Sequence, residues 1–312
     1  MKKILKYLYH NTFLGHHIIH LLIRLNTFYL NRVISEKAFL KKKFRKVFNR
    51  DINLENPETL NEKIIWLKLN DRTPLHTQCA DKYAVRDYVS SKIGDEYLVP
   101  LFYMTKYPKN IKPDNLPNIP CIIKANHDSS GGVFVKNKND IDWVSVRASL
   151  KKRLKHNYYY GKKEWQYKNI EPCIIVEKLL TNKDGNIPYD YKIHCFNGKV
   201  QMIQVDIDRH SDNSYRNWYN TKWQREPYSW SSVKSGGKLT NPSDKEVEKP
   251  ETLDKMIELS EKLSAGFRYV RVDWYDVDGI LFFGEMTFHH DGGNRPILPE
   301  EWDKKLGDKL LL

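Results

Sequence analysis

Pro120-Cys-Ile-Ile-Lys124-Ala-Asn-His-Asp-Ser-Ser130-Gly-Gly-Val-Phe-Val135 sets two short apolar runs on either side of a small polar segment ending in paired glycines. Such runs predict sheet strands, and the segment between them predicts a hairpin with a functional tip. Gly131 and Gly132 permit positive φ and let backbone N–H groups approach an anion, while Lys124 adds a full positive charge beside them. The stretch therefore reads either as a phosphate grip or as an ordinary glycine hairpin with a solvated lysine.

The rest of the chain follows the same alternation. Asn197-Gly198 and Asp278-Gly279 each sit between β-rich runs, predicting hairpins over 189–208 and 269–288. Helical periodicity marks 39–48, the face Leu60, Ile64 and Leu67, the pairs Ala84/Tyr88 and Val85/Val89, the stretch 141–156, and 251–263. Strands are expected over 97–102 and 173–180, and the small polar residues of 229–243 predict a loop. A helical front followed by antiparallel hairpins with interposed helices predicts an α+β class.

The chain has 312 residues and a net charge of +13. Residues 1–50 hold twelve Lys or Arg against the single acid Glu36, so nearly all of that charge belongs to an N-terminal arm. Such an arm implies a polyanion as neighbour, whether anionic lipid, nucleic acid or acidic glycan. Its uncharged stretch 11–23 reads as too short to span a bilayer and carries no signal-peptide cleavage pattern. Phe39, Leu40, Phe44, Val47 and Phe48 at helical spacing among five basic residues fit a basic amphipathic helix on a membrane surface. They fit equally a helical layer packed on the protein with a charged outer face. Without a zinc-finger, helix-turn-helix or RNA-recognition signature, nucleic acid is not an expected partner. Cys79, Cys121, Cys173 and Cys195 lack CxxC spacing and read as buried thiols in a reducing compartment.

Asp273 and Glu285 stand on the two strands of the last hairpin among apolar neighbours. Two carboxylates there repel unless a cation lies between them. A two-residue turn would put them on opposite faces, so a three-residue loop, Val277 to Gly279, is expected to bring them onto one face. A pair sharing Mg²⁺ bound to nucleotide phosphates is one reading, and two solvated acids are the other.

The ordered series Asp81-Lys82, Lys124 with its Ser-Ser-Gly-Gly loop, Glu177-Lys-Leu-Leu180, Asp190 with Lys192, Arg271-Val-Asp273 and Gly284-Glu-Met-Thr287 resembles an ATP-grasp ligase. Asn56-Pro-Glu-Thr-Leu-Asn-Glu-Lys-Ile-Ile-Trp66, Asp81-Lys-Tyr-Ala-Val-Arg86, Lys124-Ala-Asn-His-Asp128 and Asp190-Tyr-Lys192 narrow the resemblance to the TupA-like ATP-grasp family, found with polysaccharide and teichuronopeptide biosynthesis genes. It covers roughly residues 50–308. It implies an ATP-grasp fold of antiparallel sheets with helices, preceded by the basic arm (1–50) and divided into a helical acceptor-side part (51–119), a small subdomain with the glycine loop (120–180) and a C-terminal subdomain with the carboxylate hairpin (181–312).

The resemblance further implies ATP and Mg²⁺ as cofactors. Lys82 and Lys124 would hold phosphates under the backbone of Ser129, Ser130, Gly131 and Gly132, and the backbone of Glu177, Lys178 and Leu179 would read adenine. Asp190 and Lys192 would lie near the ribose, Asp273 and Glu285 would bind the metal, and Arg271 would steady an acyl phosphate. Many relatives carry Asn two residues after the metal-binding Glu, where this chain has Thr287. Arg209 and Arg216 are candidates to clamp a substrate carboxylate, or are surface arginines, and His127, His289 and His290 flank the same region. The expected substrates are an acidic glycan or its precursor and an amino acid or other amine. The expected location is the cytoplasm, on the inner membrane face if residues 1–48 bind anionic lipid. A sugar kinase and a non-catalytic polyanion binder are the alternatives.

Overall fold

We describe a computed structural model in which the described residues are 28–128, 131–207, 214–232 and 239–312, with Ile18, Leu21, Leu22 and Leu25 ahead of them. The chain divides into two compact units, Met1–Asp51 and Ile52–Leu312. In the first, α1 (Glu36–Phe48) starts at Ser35, whose hydroxyl accepts from the Ala38 N–H at 3.2 Å, and ends at left-handed Asn49. Leu40 and Phe44 are buried, and the Phe44 and Phe48 rings stack at 4.3 Å. The apolar face that suggested membrane contact for this helix is thus not exposed, and the basic residues Lys37, Lys41, Lys42, Arg45 and Lys46 are.

The second unit opens with α2 (Leu60–Asn70). Thr59 and Glu62 close a reciprocal capping box, the Thr59 hydroxyl accepting from the Glu62 N–H and the Glu62 carboxylate from the Thr59 N–H. Next come α3 (Pro74–Ala80), with proline at its first turn, and α4 (Val85–Ile93), stopped at Gly94. β1 (Leu101–Thr105), β2 (Cys121–Ala125), β3 (Val133–Val135) and β4 (Ile174–Lys178) form an antiparallel sheet in the order β1-β4-β2-β3. The first strand begins later than the sequence suggested, because Asp95–Tyr97 closes into a 3₁₀ turn. α5 (Trp143–Leu154), capped by Asp142, lays Leu150 on the inner face of this sheet against Cys121, Ile123, Ile174 and Val176. A short α6 (Tyr158–Lys162) leads back to β4.

β5 (Asp190–Phe196), β6 (Lys199–Ile207), β7 (Tyr215–Tyr219), β9 (Tyr269–Val277) and β10 (Ile280–Thr287) make the larger antiparallel sheet, ordered β10-β9-β5-β6-β7. β8 (Ser229–Trp230), within the stretch expected to be loop, pairs instead with β11 (Ile297–Leu298), and α8 (Glu301–Asp308) closes the chain. Both Asn197-Gly198 and Asp278-Gly279 are two-residue turns with positive φ at both positions, the geometry that matches strand twist.

The side-chain period of two sorts the large sheet into two chemistries. Tyr191, Ile193, Cys195, Ile203, Val205, Val270, Val272 and Trp274 join Met256, Leu259 and Leu263 of α7 (Leu253–Ser264) in one core. The opposite face presents Asp190, Lys192, Gln204, Asp206, Arg216, Arg271 and Asp273, all buried. The four cysteines are free and buried, as their spacing implied.

Four buried histidines make the fold sensitive to acid. Burial is the main cause that lowers His76, His194, His289 and His290 below the ordinary value of 6.5. With the folded pKa below the unfolded one, the unfolded chain binds more protons in the interval between them. Their contribution is constant above about pH 7.5 and is lost as pH falls through about 6.5. Urea midpoints followed by tryptophan fluorescence are expected to hold between pH 8 and 7.5 and to fall steadily from 7 to 5; a flat profile from 7 to 5 would refute this.

Candidate active site

Cross-strand pairing builds the centre of the polar face. Lys192 on β5 lies directly opposite Asp273 on β9, with Asp190 and Arg271 each two residues along on the same face. The Lys192 ammonium donates to Asp273 Oδ2 at 2.6 Å and to Asp190 Oδ2 at 2.5 Å. The Arg271 guanidinium grips Asp273 through two contacts, Nε to Oδ1 at 2.6 Å and Nη2 to Oδ2 at 2.7 Å. Its Nη2 also reaches Glu285 Oε1 at 3.2 Å. Burial works against the charged guanidinium, but Asp273 and Glu285 more than reverse this and hold its pKa above the ordinary value. Arg271 Nη1 donates to His290 Nδ1 at 3.0 Å, which fixes that nitrogen as an acceptor and requires a neutral ring. Burial and then the Arg271 charge depress the His290 pKa in the same direction.

Asp273 and Glu285 do share a face, though not through the expected three-residue loop. After the two-residue turn, Phe283 pairs with Trp274 and Met286 with Val272, so Gly284 and Glu285 together oppose Asp273 in a β-bulge. The extra residue swings Glu285 back towards Arg271. Gly284 suits the close approach there, since an added Cβ would lie 3.1 Å from the Asp273 carbonyl oxygen and 3.3 Å from its Cβ, tighter than ordinary contact.

Lys82 joins this cluster to the β2–β3 loop. Its ammonium donates to the Asp128 carbonyl at 2.6 Å and lies 3.6 Å from Glu285 Oε2. Asn126, fully buried, secures the base of Lys82 by accepting its N–H at the backbone and by donating from its side chain to Asp81 Oδ1 at 2.8 Å. Gly131 has φ 75°, and its carbonyl accepts from Arg153 Nη2 at 2.7 Å. Gly132 crosses β2 so closely that a Cβ would lie 2.5 Å from Ile122 Cγ1. Arg153 also grips Asp128 with two contacts at 2.8 and 2.9 Å, so α5 holds the glycine loop at both ends.

Lys124 and Glu177 are diagonal neighbours on β2 and β4, and Lys124 Nζ meets Glu177 Oε2 at 2.9 Å. Arg86 of α4 reaches Glu177 Oε1 at 3.3 Å. Lys178 is exposed and Leu179 is buried. Their N–H groups donate to the Pro100 and Pro120 carbonyls at 2.9 and 3.1 Å, so these two donors are already taken.

Other sequence candidates fall elsewhere. Arg216 is buried against Asp206 at 2.9 Å, the Trp230 carbonyl at 3.2 Å and the Ser232 hydroxyl at 2.8 Å, so it is an internal ion-pair partner rather than a surface arginine. His127 spans to the carbonyls of Arg153 and His156 at 3.3 and 3.1 Å and serves to hold the end of α5. His289 is buried, within reach of the charges of Lys68 and Arg72. Ser129, Ser130 and Arg209 lie outside the described residues. Sequence reasoning missed Arg153, quoted Asn126 and Asp128 only as part of a motif without a role, and did not foresee the bond between His290 and Arg271. Arg153 follows Lys151-Lys152 and looks like part of a solvated basic face.

Among the described residues no group of three or more His, Cys, Asp or Glu has metal-binding geometry. Two carboxylates are compatible with Mg²⁺ all the same, because that ion usually takes one or two protein carboxylates and completes its shell with water and substrate phosphates.

The sequence model of one protein family, TupA-like ATPgrasp, matches residues 62–311. No match emerges among curated proteins. Among solved structures, D-alanine–D-alanine ligase from Bacillus anthracis complexed with ATP is 16% identical, with a TM-score of 0.38 over 68% of this chain and 54% of that chain. L-amino acid ligase from Bacillus licheniformis is 14% identical, with a TM-score of 0.44 over 83% of this chain and 56% of that chain. N5-carboxyaminoimidazole ribonucleotide synthetase in its ADP complex is 14% identical, with a TM-score of 0.42 over 82% of this chain and 58% of that chain. The chain thus spans little more than half the length of these proteins.

Asp273→Asn keeps the shape of the side chain while leaving Lys192 and Arg271 without their common counter-charge. Breaking a buried pair in this way is expected to cost about 3–5 kcal/mol, read as a lowered urea midpoint. A midpoint equal to that of the parent protein would show that the cluster does not depend on this carboxylate.

Proposed function

We propose that this chain, which belongs to the TupA-like ATP-grasp family, is an ATP-dependent ligase that joins a carboxylate to an amine. The single observation that carries the reading is Lys82, whose ammonium touches both the glycine loop and the carboxylate hairpin. A nucleotide phosphate chain needs cations, backbone donors and paired carboxylates close together, and this lysine is where those parts converge. Asp273 and Glu285 are the residues that would hold Mg²⁺, which when bound would neutralise phosphate charge.

In the proposed reaction a carboxylate oxygen attacks the γ-phosphorus of ATP and the bond to the ADP oxygen breaks, giving an acyl phosphate. The amine nitrogen then attacks the acyl carbon, phosphate departs with its bridging oxygen, and the nitrogen loses a proton. Lys82 and Lys124 would draw the phosphates into place. The Gly131-Gly132 backbone would cover them against water, which hydrolyses acyl phosphates. Arg271, held in one orientation by Asp273 and His290, would present its remaining face to the developing charge. Asp190 and Lys192 would support that arrangement from the neighbouring strand.

The acceptor we assign is a uronic acid of a surface polysaccharide or its precursor, and the donor an amino acid or related amine. This assignment rests on the family's association with polysaccharide biosynthesis. The internal partners of Arg216 favour its shaping the wall of the site over its gripping substrate.

Incubation with ATP, Mg²⁺, a uronate glycan whose carboxylate carries ¹⁸O and a panel of amino acids tests both steps. One ADP, one phosphate containing ¹⁸O and one amide are expected per turnover. A product heavier by phosphate alone would indicate a sugar kinase, and no nucleotide binding by calorimetry would sink both enzyme readings. Lys82→Ala and Lys124→Ala are each expected to lower turnover about 10²-fold or more while leaving the fold intact, measured by ADP release and circular dichroism.

A further inference from the structure

The N-terminal unit carries an apolar face that its own helix α1 does not cover. Ile18, Leu21, Leu22, Leu25 and Phe28 are each helical and each more than half exposed, from 53% at Ile18 to 62% at Phe28. At 3.6 residues per turn these positions fall within an arc of about 120°, the width of one apolar helix face. Single exposed leucines are ordinary, but an aligned set of bulky side chains marks a surface that meets something.

Charge identifies what it meets. The surrounding segment of fifty residues holds twelve Lys or Arg against Glu36 alone. Two copies of it would repel each other, whereas an anionic surface would attract it. An apolar face combined with a polybasic segment matches the two signals that give stable attachment to a bilayer interface. Lys6 and Arg24 bound an uncharged run shorter than the roughly 20 residues that a helical span needs, so the contact would lie in the plane of the interface.

We propose that the face formed by Ile18, Leu21, Leu22, Leu25 and Phe28 inserts into the surface of an anionic lipid bilayer, with the exposed Lys37, Lys41, Lys42 and Lys46 drawn to the headgroups. The contact is thereby moved from α1, whose Leu40 and Phe44 are buried, to the segment before it. This inference is independent of the ligase reading.

The full chain is tested by co-sedimentation with vesicles of phosphatidylcholine alone and of phosphatidylcholine with phosphatidylglycerol. Binding is expected only to the second, and Leu22→Glu/Leu25→Glu should weaken it at least tenfold. A second measurement guards against misfolding of that variant. Phe28→Cys gives an exposed thiol that can be labelled with an environment-sensitive dye, because Cys79, Cys121, Cys173 and Cys195 are buried and burial raises the pKa of each. The label at position 28 is expected to shift to shorter wavelength on the phosphatidylglycerol vesicles. An unshifted label, or a double-glutamate variant that binds like the parent and is released by salt alone, would overturn insertion. So would a dimer in sedimentation velocity that the double variant converts to monomer.

Discussion

Both oxygens of Asp273 are taken, one by Arg271 and the other by Arg271 and Lys192 together, in a position that is 2% exposed. Removing three charges from water is costly, and their attraction offsets that cost only when every group is well placed. The placement comes from the backbone: direct pairing of Lys192 with Asp273 fixes one contact, and the i, i+2 spacing of Arg271 fixes the other. A slip of one residue between β5 and β9 would turn these charges into the apolar core beside Trp274 and Leu259 and expose the valines. The ion cluster therefore specifies register as well as filling the polar face, and the α7 core on the other side enforces the same register independently.

The candidate site depends on a departure from that regularity. Without the bulge at Gly284, Glu285 would point away from Arg271 and Lys82 would lose its partner on β10. The glycine permits the close approach, and the shared guanidinium removes the repulsion between the two acids that it brings together. Lys82 then extends the cluster to a different sheet, through a loop that Arg153 and Asp128 hold from the far side.

Features set by neighbours in sequence were legible. Thr59 to Glu62 and the two Xaa-Gly turns encode their own local geometry, and alternation along β5 and β9 separates the two faces before any pairing is known. The order of the charged motifs pointed to the family for the same reason. What escaped was set by contacts across the fold. Turn length was misjudged because the bulge that reunites Asp273 and Glu285 lies several residues beyond the turn, at a glycine whose role shows only opposite Asp273. Arg216 resembled a free clamp because its partner Asp206 faces it only once β6 pairs with β7. The buried face of α1 escaped because helical spacing alone does not say whether an apolar stripe meets protein or lipid.

The same ion pairs constrain how a polyanion can be received. A phosphate that takes Lys124 must compete with Glu177 at 2.9 Å, and one that takes Lys82 must compete with Glu285 at 3.6 Å and with the Asp128 carbonyl. Glu177 does not become an uncompensated buried charge when Lys124 turns away, because Arg86 remains 3.3 Å from its other oxygen. Glu285, one third exposed, keeps Arg271 and can accept a cation from the solvent side. Each carboxylate released by a lysine thus retains a second partner, so the exchange can proceed without leaving a buried acid unpaired. In the proposed site, the charges that stabilise the fold and those available to a nucleotide are separable: Asp273 keeps the first set in place while Lys82 and Lys124 change partners.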